Sequence, residues 1–347
     1  MEFTTRGLLE VRITPADVGK RVSVRLLTGS PEPAARFTDV IGVLTSWDAG
    51  ILRLTRRDGE IVRIAEDTLV AGKVVPAAPA RRRGPAASAE ELTRVAARGW
   101  PGVETERLGG WELRASGGFT SRANSVLALG DPGLPLDDAL ARVHAWYAER
   151  GLPALVQVST GAADTEDRLA AELDERGWGM RRQALLQVGA LARVADEAAG
   201  PGAAAGPGET VGSGEAVQLS RTTDGSWLSL YNRAAAMPPE AEAVLHGGPS
   251  VWFATVPGDE EGAPAAIGRC VVDGRWAGFA AVEVAPAYRR RGLATAVMAA
   301  LAARALDEGA SAAYLQVEPD NEAALALYDR LGFSTHHAYH YRIRPGD

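Results

Sequence analysis

Two stretches rich in Ala, Pro and Gly and empty of any hydrophobic period, residues 76–88 and 195–215, interrupt the chain and limit what it can fold into. They divide the 347 residues into blocks at 1–75, 89–194 and 216–347. A chain of this length is about twice one ordinary domain, so separately packed cores are the natural expectation.

The first block alternates short β-rich runs with turn signals, as in DVIGVLTSWDAGILRLTRRDGEIVRI, whose Asp-Ala-Gly and Asp58-Gly59 steps suit tight hairpins. A small antiparallel barrel of the SH3-like kind is expected. The second block reads helix (89–98), strands (111–116 and 122–129), helix (137–150), strand (154–158), helix (165–176) and strand (182–189). The third reads strand, helices, three strands with Asp273-Gly274 turning the second pair, a long helix, a strand, a short helix and a last strand. LYDRLGF at 327–333 echoes LDERGW at 173–178, which suggests a tandem pair.

Chemistry concentrates in the third block. A strand at 278–284 runs into VAPAYRRRGLATAVM, where Arg289, Arg290, Arg291, Gly292, Leu293 and Ala294 precede a helix that carries Leu293, Val297, Leu301 and Ala305 and ends at Gly309. A glycine loop feeding a helix N-terminus aims main-chain N–H groups and the positive end of the helix dipole at one point, which suits a pyrophosphate. A solvated charge run is the alternative reading of the three arginines alone. The second motif, LQVEPDNEAALALYDRLGF at 315–333, argues against it.

Together, V-x-P-x-Y-R-x-x-G-x-A and N-x-x-A-x-x-L-Y-x-x-x-G-F closely resemble the signatures of GCN5-related N-acetyltransferases (GNAT) over residues 215–345. The resemblance implies an α+β GNAT fold, a mixed central sheet flanked by helices, as a tandem pair behind the small barrel. It implies acetyl-CoA as cosubstrate and a primary amine, whether small molecule, peptide or protein, as acceptor. It assigns Val284 main-chain bonding to the pantetheine arm, the N–H groups from Arg290 to Thr295 the pyrophosphate, Asn321 the pantetheine or a phosphate, and Tyr328 the role of general acid. Asn321 also suits a helix N-cap, and Tyr328 a core position. Some members place a glutamate where this chain has Gln316, which cannot accept a proton. Glu283 and Glu318 are the substitutes within reach, as bases or as rim carboxylates. In the second block the corresponding loop, LGDPGLPLDD, lacks arginines and holds three aspartates, so a structural or acceptor-shaping role is expected there.

Composition narrows the rest. The chain has 46% hydrophobic and 23% charged residues and no apolar run of membrane-spanning length; its first residues, MEFTTRGLLE, lack the basic start of a secretory leader, so a cytoplasmic location is expected. The single cysteine, Cys270, excludes internal disulfides and is expected to be buried. No metal is expected, His336, His337 and His340 lacking an acidic or thiolate framework. The net charge of −7 argues against nucleic-acid binding by the whole chain. Residues 1–84 nevertheless hold 14 Lys and Arg against 10 Asp and Glu, with Arg81, Arg82 and Arg83 in the linker. A regulatory protein that senses acyl-CoA and binds nucleic acid through this barrel is the competing expectation; a charged but non-binding barrel is the simpler one.

Overall fold

This computed structural model describes residues 11–28, 37–56, 59–75, 85–196, 217–234, 237–260 and 262–346. Asp58, Arg81 to Arg83 and most of both linkers lie outside the described residues.

The first block forms β1 (Arg21–Leu27), β2 (Phe37–Asp48), β3 (Ile51–Thr55), β4 (Ile61–Ala65) and β5 (Leu69–Val74), an antiparallel sheet in the order β4-β3-β2-β1-β5. Period-two alternation sends Val22, Val24 and Leu26 of β1 inward against Val40, Leu44, Leu52, Leu54 and Ile64. At the β2–β3 hairpin, Ala49 and Gly50 both take positive φ (50° and 74°), the geometry that matches a two-residue turn to strand twist.

The remaining elements build one sheet. In chain order they are α1 (Ala89–Arg98), β6 (Glu104–Leu108), β7 (Trp111–Ala115), β8 (Val126–Leu127), α2 (Leu136–Ala148), β9 (Leu155–Thr160), α3 (Asp167–Glu175), β10 (Gly179–Ala190) and α4 (Leu191–Asp196). After the second linker come β11 (Gln218–Ser220), α5 (Gly225–Leu230), α6 (Glu240–His246), β12 (Ser250–Pro257), β13 (Pro264–Asp273) and β14 (Trp276–Val284). The chain closes with α7 (Leu293–Asp307), β15 (Ala312–Val317), α8 (Glu322–Arg330) and β16 (Ser334–Ile343). Eleven strands pair in the order β11-β12-β13-β14-β15-β10-β16-β9-β8-β7-β6. Each block therefore gives its last strand to the other. β10 lies between β15 and β16, and β16 lies between β10 and β9. The exchange covers edges that β9 and β15 would otherwise expose, and it makes one sheet of two blocks.

The barrel docks on α3, where Arg53 pairs with Glu175 and Arg63 with Asp174 at 3.4 Å. Further barrel cations are spent internally, Lys20 on Asp17, Arg25 on Asp39 and Arg56 on Glu60. Beneath it, a Cβ on Gly59 would meet the His340 ring at 3.2 Å.

The tightest point of the large sheet is the parallel pair Gly278↔Tyr314 between β14 and β15. Tyr314 is 5% exposed, and a Cβ on Gly278 would overlap its ring. Gly278→Ala is therefore expected to cost about 1–3 kcal/mol through overpacking, measured as a lower denaturant midpoint at unchanged slope.

Candidate active site

β14 pairs with β15 only over four residues, from Trp276↔Ala312 to Phe279↔Leu315. Beyond that point the ladder stops. Ala281 takes φ 51° and the β13–β14 register shifts between Ile267 and Arg269, a bulge that bends the end of β14 away from its parallel neighbour. β15 meanwhile continues to Val317 along β10. The parting strands leave main-chain groups of residues 280–284 without a strand opposite them on that edge. A cleft of about 260 Å³ opens there, walled by the ends of both strands, α8, the 120–122 loop, β10 and β16.

At one end of the split, β14 leads through a short turn (Pro286–Tyr288) into α7. Gly292 is the N-cap, with φ 81° and ψ 0°, and Arg290 also takes positive φ (64°). The first helical bond of α7 runs from Ala296 N to Gly292 O at 3.0 Å, so the N–H groups of Leu293, Ala294 and Thr295 precede any intrahelical partner. Arg289, Arg290 and Arg291 are exposed around this nest. Arg289 reaches Val284 O through Nε at 3.4 Å, and the Arg291 guanidinium lies 5.1 Å over the Tyr288 ring. The loop concentrates positive potential at one helix end.

Deeper in the split stands Tyr328, on α8. Its ring meets Phe333 edge-on at 5.9 Å, burial pushes its phenol up to about 12, and its hydroxyl has no hydrogen-bond partner among the described residues. Asn321 caps α8, its Oδ1 accepting from Ala324 N at 3.1 Å, and it also lines the cleft. Glu283 accepts from the Asn232 N–H through both oxygens, at 3.1 and 3.2 Å. Burial raises its pKa above the ordinary value, against the opposing pull of that N–H and of Arg233. Glu318 is exposed at the rim.

Gln316 has a different task from the proton acceptor it replaces. Its Oε1 accepts from Arg122 Nη1 at 2.7 Å and from the Tyr339 hydroxyl at 3.1 Å. Arg122 comes from the second block, and its guanidinium also lies 4.8 Å over the Trp100 ring. The loop that presents it is tied down by Asn124, which is 5% exposed. Asn124 Oδ1 accepts from Ser116 N and Gly118 N, while Nδ2 donates to Phe119 O and Thr120 O. A buried amide with all four bonds made holds a loop as a strand ladder would. Sequence reasoning missed Trp100, Arg122, Arg182 and Tyr339; no local pattern marks them, because the strand exchange brings them to the cleft.

Two of the three carboxylates of the LGDPGLPLDD loop are occupied, Asp131 accepting from Gly133 N at 2.7 Å and Asp137 pairing with Arg176 at 2.6 Å. Cys270 is fully buried, its thiol pushed up to about 12. His336 and His337 contact each other through Nδ1 at 2.9 Å, while burial pushes His337 and His340 down to about 3 each. Among the described residues no cluster of histidine, cysteine and carboxylate side chains has the makings of a metal site.

This geometry has relatives. Residues 87–342 match the family described as the C-terminal part of the probable histone acetyltransferase Rv0428c. The chain belongs to this acetyltransferase family. Residues 16–73 match the N-terminal Sm-like domain of the same family, so the small antiparallel domain is Sm-like. The Rv0428c-family chain is 30% identical over 341 residues to the probable histone acetyltransferase Rv0428c of Mycobacterium tuberculosis, covering 94% of this chain and 95% of that one. It is 27% identical over 263 residues to the uncharacterized N-acetyltransferase YobR of Bacillus subtilis, covering 73% of this chain and 98% of the relative. A tandem GNAT protein from the clavulanic acid biosynthesis pathway shares the fold with a TM-score of 0.52 at 15% identity, over 77% of this chain and 92% of that one. The Rv0428c-family chain thus has the tandem GNAT fold behind its small domain.

Proposed function

We propose that this protein moves an acetyl group from acetyl-CoA to a primary amine by direct attack within a ternary complex. The observation that carries the reading is the split between β14 and β15, with the N–H nest at Gly292 at one end and the unpartnered Tyr328 hydroxyl inside. The nest from Arg290 to Thr295, with Arg289 and Arg291 beside it, would hold the pyrophosphate. The free edge of residues 280–284, ending at Val284, would bond the pantetheine amides, and Asn321 retains its Nδ2 for the same arm. Glu283 would take the proton from the attacking amine as the N–C bond forms, and Tyr328 would give its proton to the sulfur as the C–S bond breaks. Cys270, buried and held neutral, has no part in this scheme.

Because burial raises the Glu283 pKa, the carboxylate forms at a higher pH than an ordinary glutamate would need. Activity should therefore fall as pH drops through that raised value. Glu283→Gln is expected to lower kcat/KM about 10²-fold or more and to flatten this acid limb. An unchanged profile of kcat/KM against pH would assign the base elsewhere, to Glu318 or to water.

The barrel takes no part in the transfer. On β16, Tyr339 and Tyr341 line the cleft, whereas His340 lies against the barrel, so period-two alternation places the barrel on the opposite face of the sheet. A chain lacking residues 1–84 should bind acetyl-CoA with unaltered affinity, measured by calorimetry. A folded deletion variant that cannot bind would show that the barrel contributes to the site. Direct thiol detection on mixing protein, acetyl-CoA and an amine panel tests the reading as a whole.

A further inference from the structure

The cleft carries an excess of positive charge in a chain whose net charge is −7. Arg122, Arg182 and Arg233 line it, against Glu283 and Glu318. Glu283 is already engaged by the Asn232 N–H, and Glu318 lies at the rim. None of the three arginines forms an ion pair among the described residues. They stand apart from Arg289, Arg290 and Arg291, which belong to the loop at the other end of the split.

Two of the three are held by devices whose cost needs a return. Arg122 gives one donor to Gln316 Oε1 at 2.7 Å and lies over the Trp100 ring at 4.8 Å, which leaves the rest of a planar set of donors to offer. Arg182 takes φ 44°, strained for a residue with a Cβ, at the point where the β10–β16 register breaks between Arg181 and Ala184. A second cavity of about 180 Å³ shares Thr120, Ser121, Arg182 and Tyr341 with the cleft, so Arg182 stands at the junction of the two.

We infer that the acceptor is an amine that also carries a carboxylate, bound by the Arg122 and Arg182 guanidinium groups while its amine faces Glu283. This rests on the acetyltransferase reading above and adds the class of acceptor to it. The same arginines disfavour polycationic acceptors such as lysine-rich peptides, since like charges in a cleft repel.

The test pairs each acceptor with its amide: glycine with glycinamide, glutamate with its bis-amide, and alanyl-alanine with alanyl-alanine amide, alongside spermidine and a lysine-rich peptide. On the full chain the carboxylates should show the higher kcat/KM. Arg122→Gln and Arg182→Gln, the latter at an exposed position, should each raise the carboxylate KM about 10- to 100-fold. Neither should shift acetyl-CoA affinity by more than about twofold, and Arg122→Lys should recover only part of the loss. Equal rates for acid and amide, or preference for spermidine or the lysine-rich peptide, would overturn the inference and leave the acetyltransferase reading standing. Failure to bind acetyl-CoA would instead sink that reading. If no panel member is acetylated, glutarate titrated into the CoA-bound protein decides: the tryptophan emission should change saturably, and more weakly in Arg122→Gln. No saturable response in the wild type would overturn the inference.

Discussion

Gly292→Asp should remove measurable acetyl-CoA binding while leaving a folded protein. A Cβ at this position meets no atom within 4 Å, and aspartate tolerates the left-handed region better than most residues, so the fold pays only a local strain. Its carboxylate would stand among the N–H groups of residues 293–295, where a pyrophosphate is to sit. Two like charges about 4 Å apart at an effective dielectric of about 20 repel by about 4 kcal/mol, close to a thousandfold in affinity. Gly292→Ala separates the causes: it carries the strain without the charge and should weaken binding about tenfold or less. Calorimetry on both variants reads the difference. Equal affinity in wild type and Gly292→Asp would move the phosphates away from α7.

Tyr328→Phe should lower turnover about 10²- to 10⁴-fold with acetyl-CoA affinity changed no more than a few-fold. The ring contact with Phe333 at 5.9 Å survives the substitution, so packing is retained and only the proton is lost. Burial that pushes the phenol up to about 12 keeps it protonated throughout the neutral range, as a donor to a leaving thiolate requires. A matching loss in kcat and kcat/KM would mark an interaction made in the transition state. Undiminished turnover would reduce Tyr328 to a wall of the cleft.

The elements that hold the Gly292 loop were readable in the sequence because their signals are local. Gly292 before a helical period gives the start of α7, and Asn321 before Glu322 gives the cap of α8, which the Ala324 N–H bond bears out. What failed to show depends on partners far along the chain. β10 is apolar enough to lie in any central position, and its sequence does not say that β15 and β16 flank it. The charged run Glu104–Leu108 reads poorly as a strand, yet as the sheet edge β6 has one solvated side and needs no apolar alternation. The expected strand at 122–129 shrinks to Val126–Leu127 because its first residues belong to a turn, with Asn124 N bonded to Ser121 O and the Asn124 side chain folded back on Phe119 O and Thr120 O, and Ser125 O accepts from the Arg114 side chain instead of a ladder partner. Gln316 looked like a lost base. Its partner Arg122 lies 194 residues earlier, and only the exchanged sheet brings them together.

The most direct measurement of the central claim is rapid-mixing detection of free thiol when the full chain meets acetyl-CoA, first alone and then with an amine acceptor. Direct transfer requires no thiol burst without the amine, and with it one thiol released for each N-acetyl product formed. A burst equal to the enzyme concentration in the absence of amine would reveal an acetyl-enzyme, and tight acetyl-CoA binding without thiol release for any acceptor would reveal a sensor; either result contradicts the account.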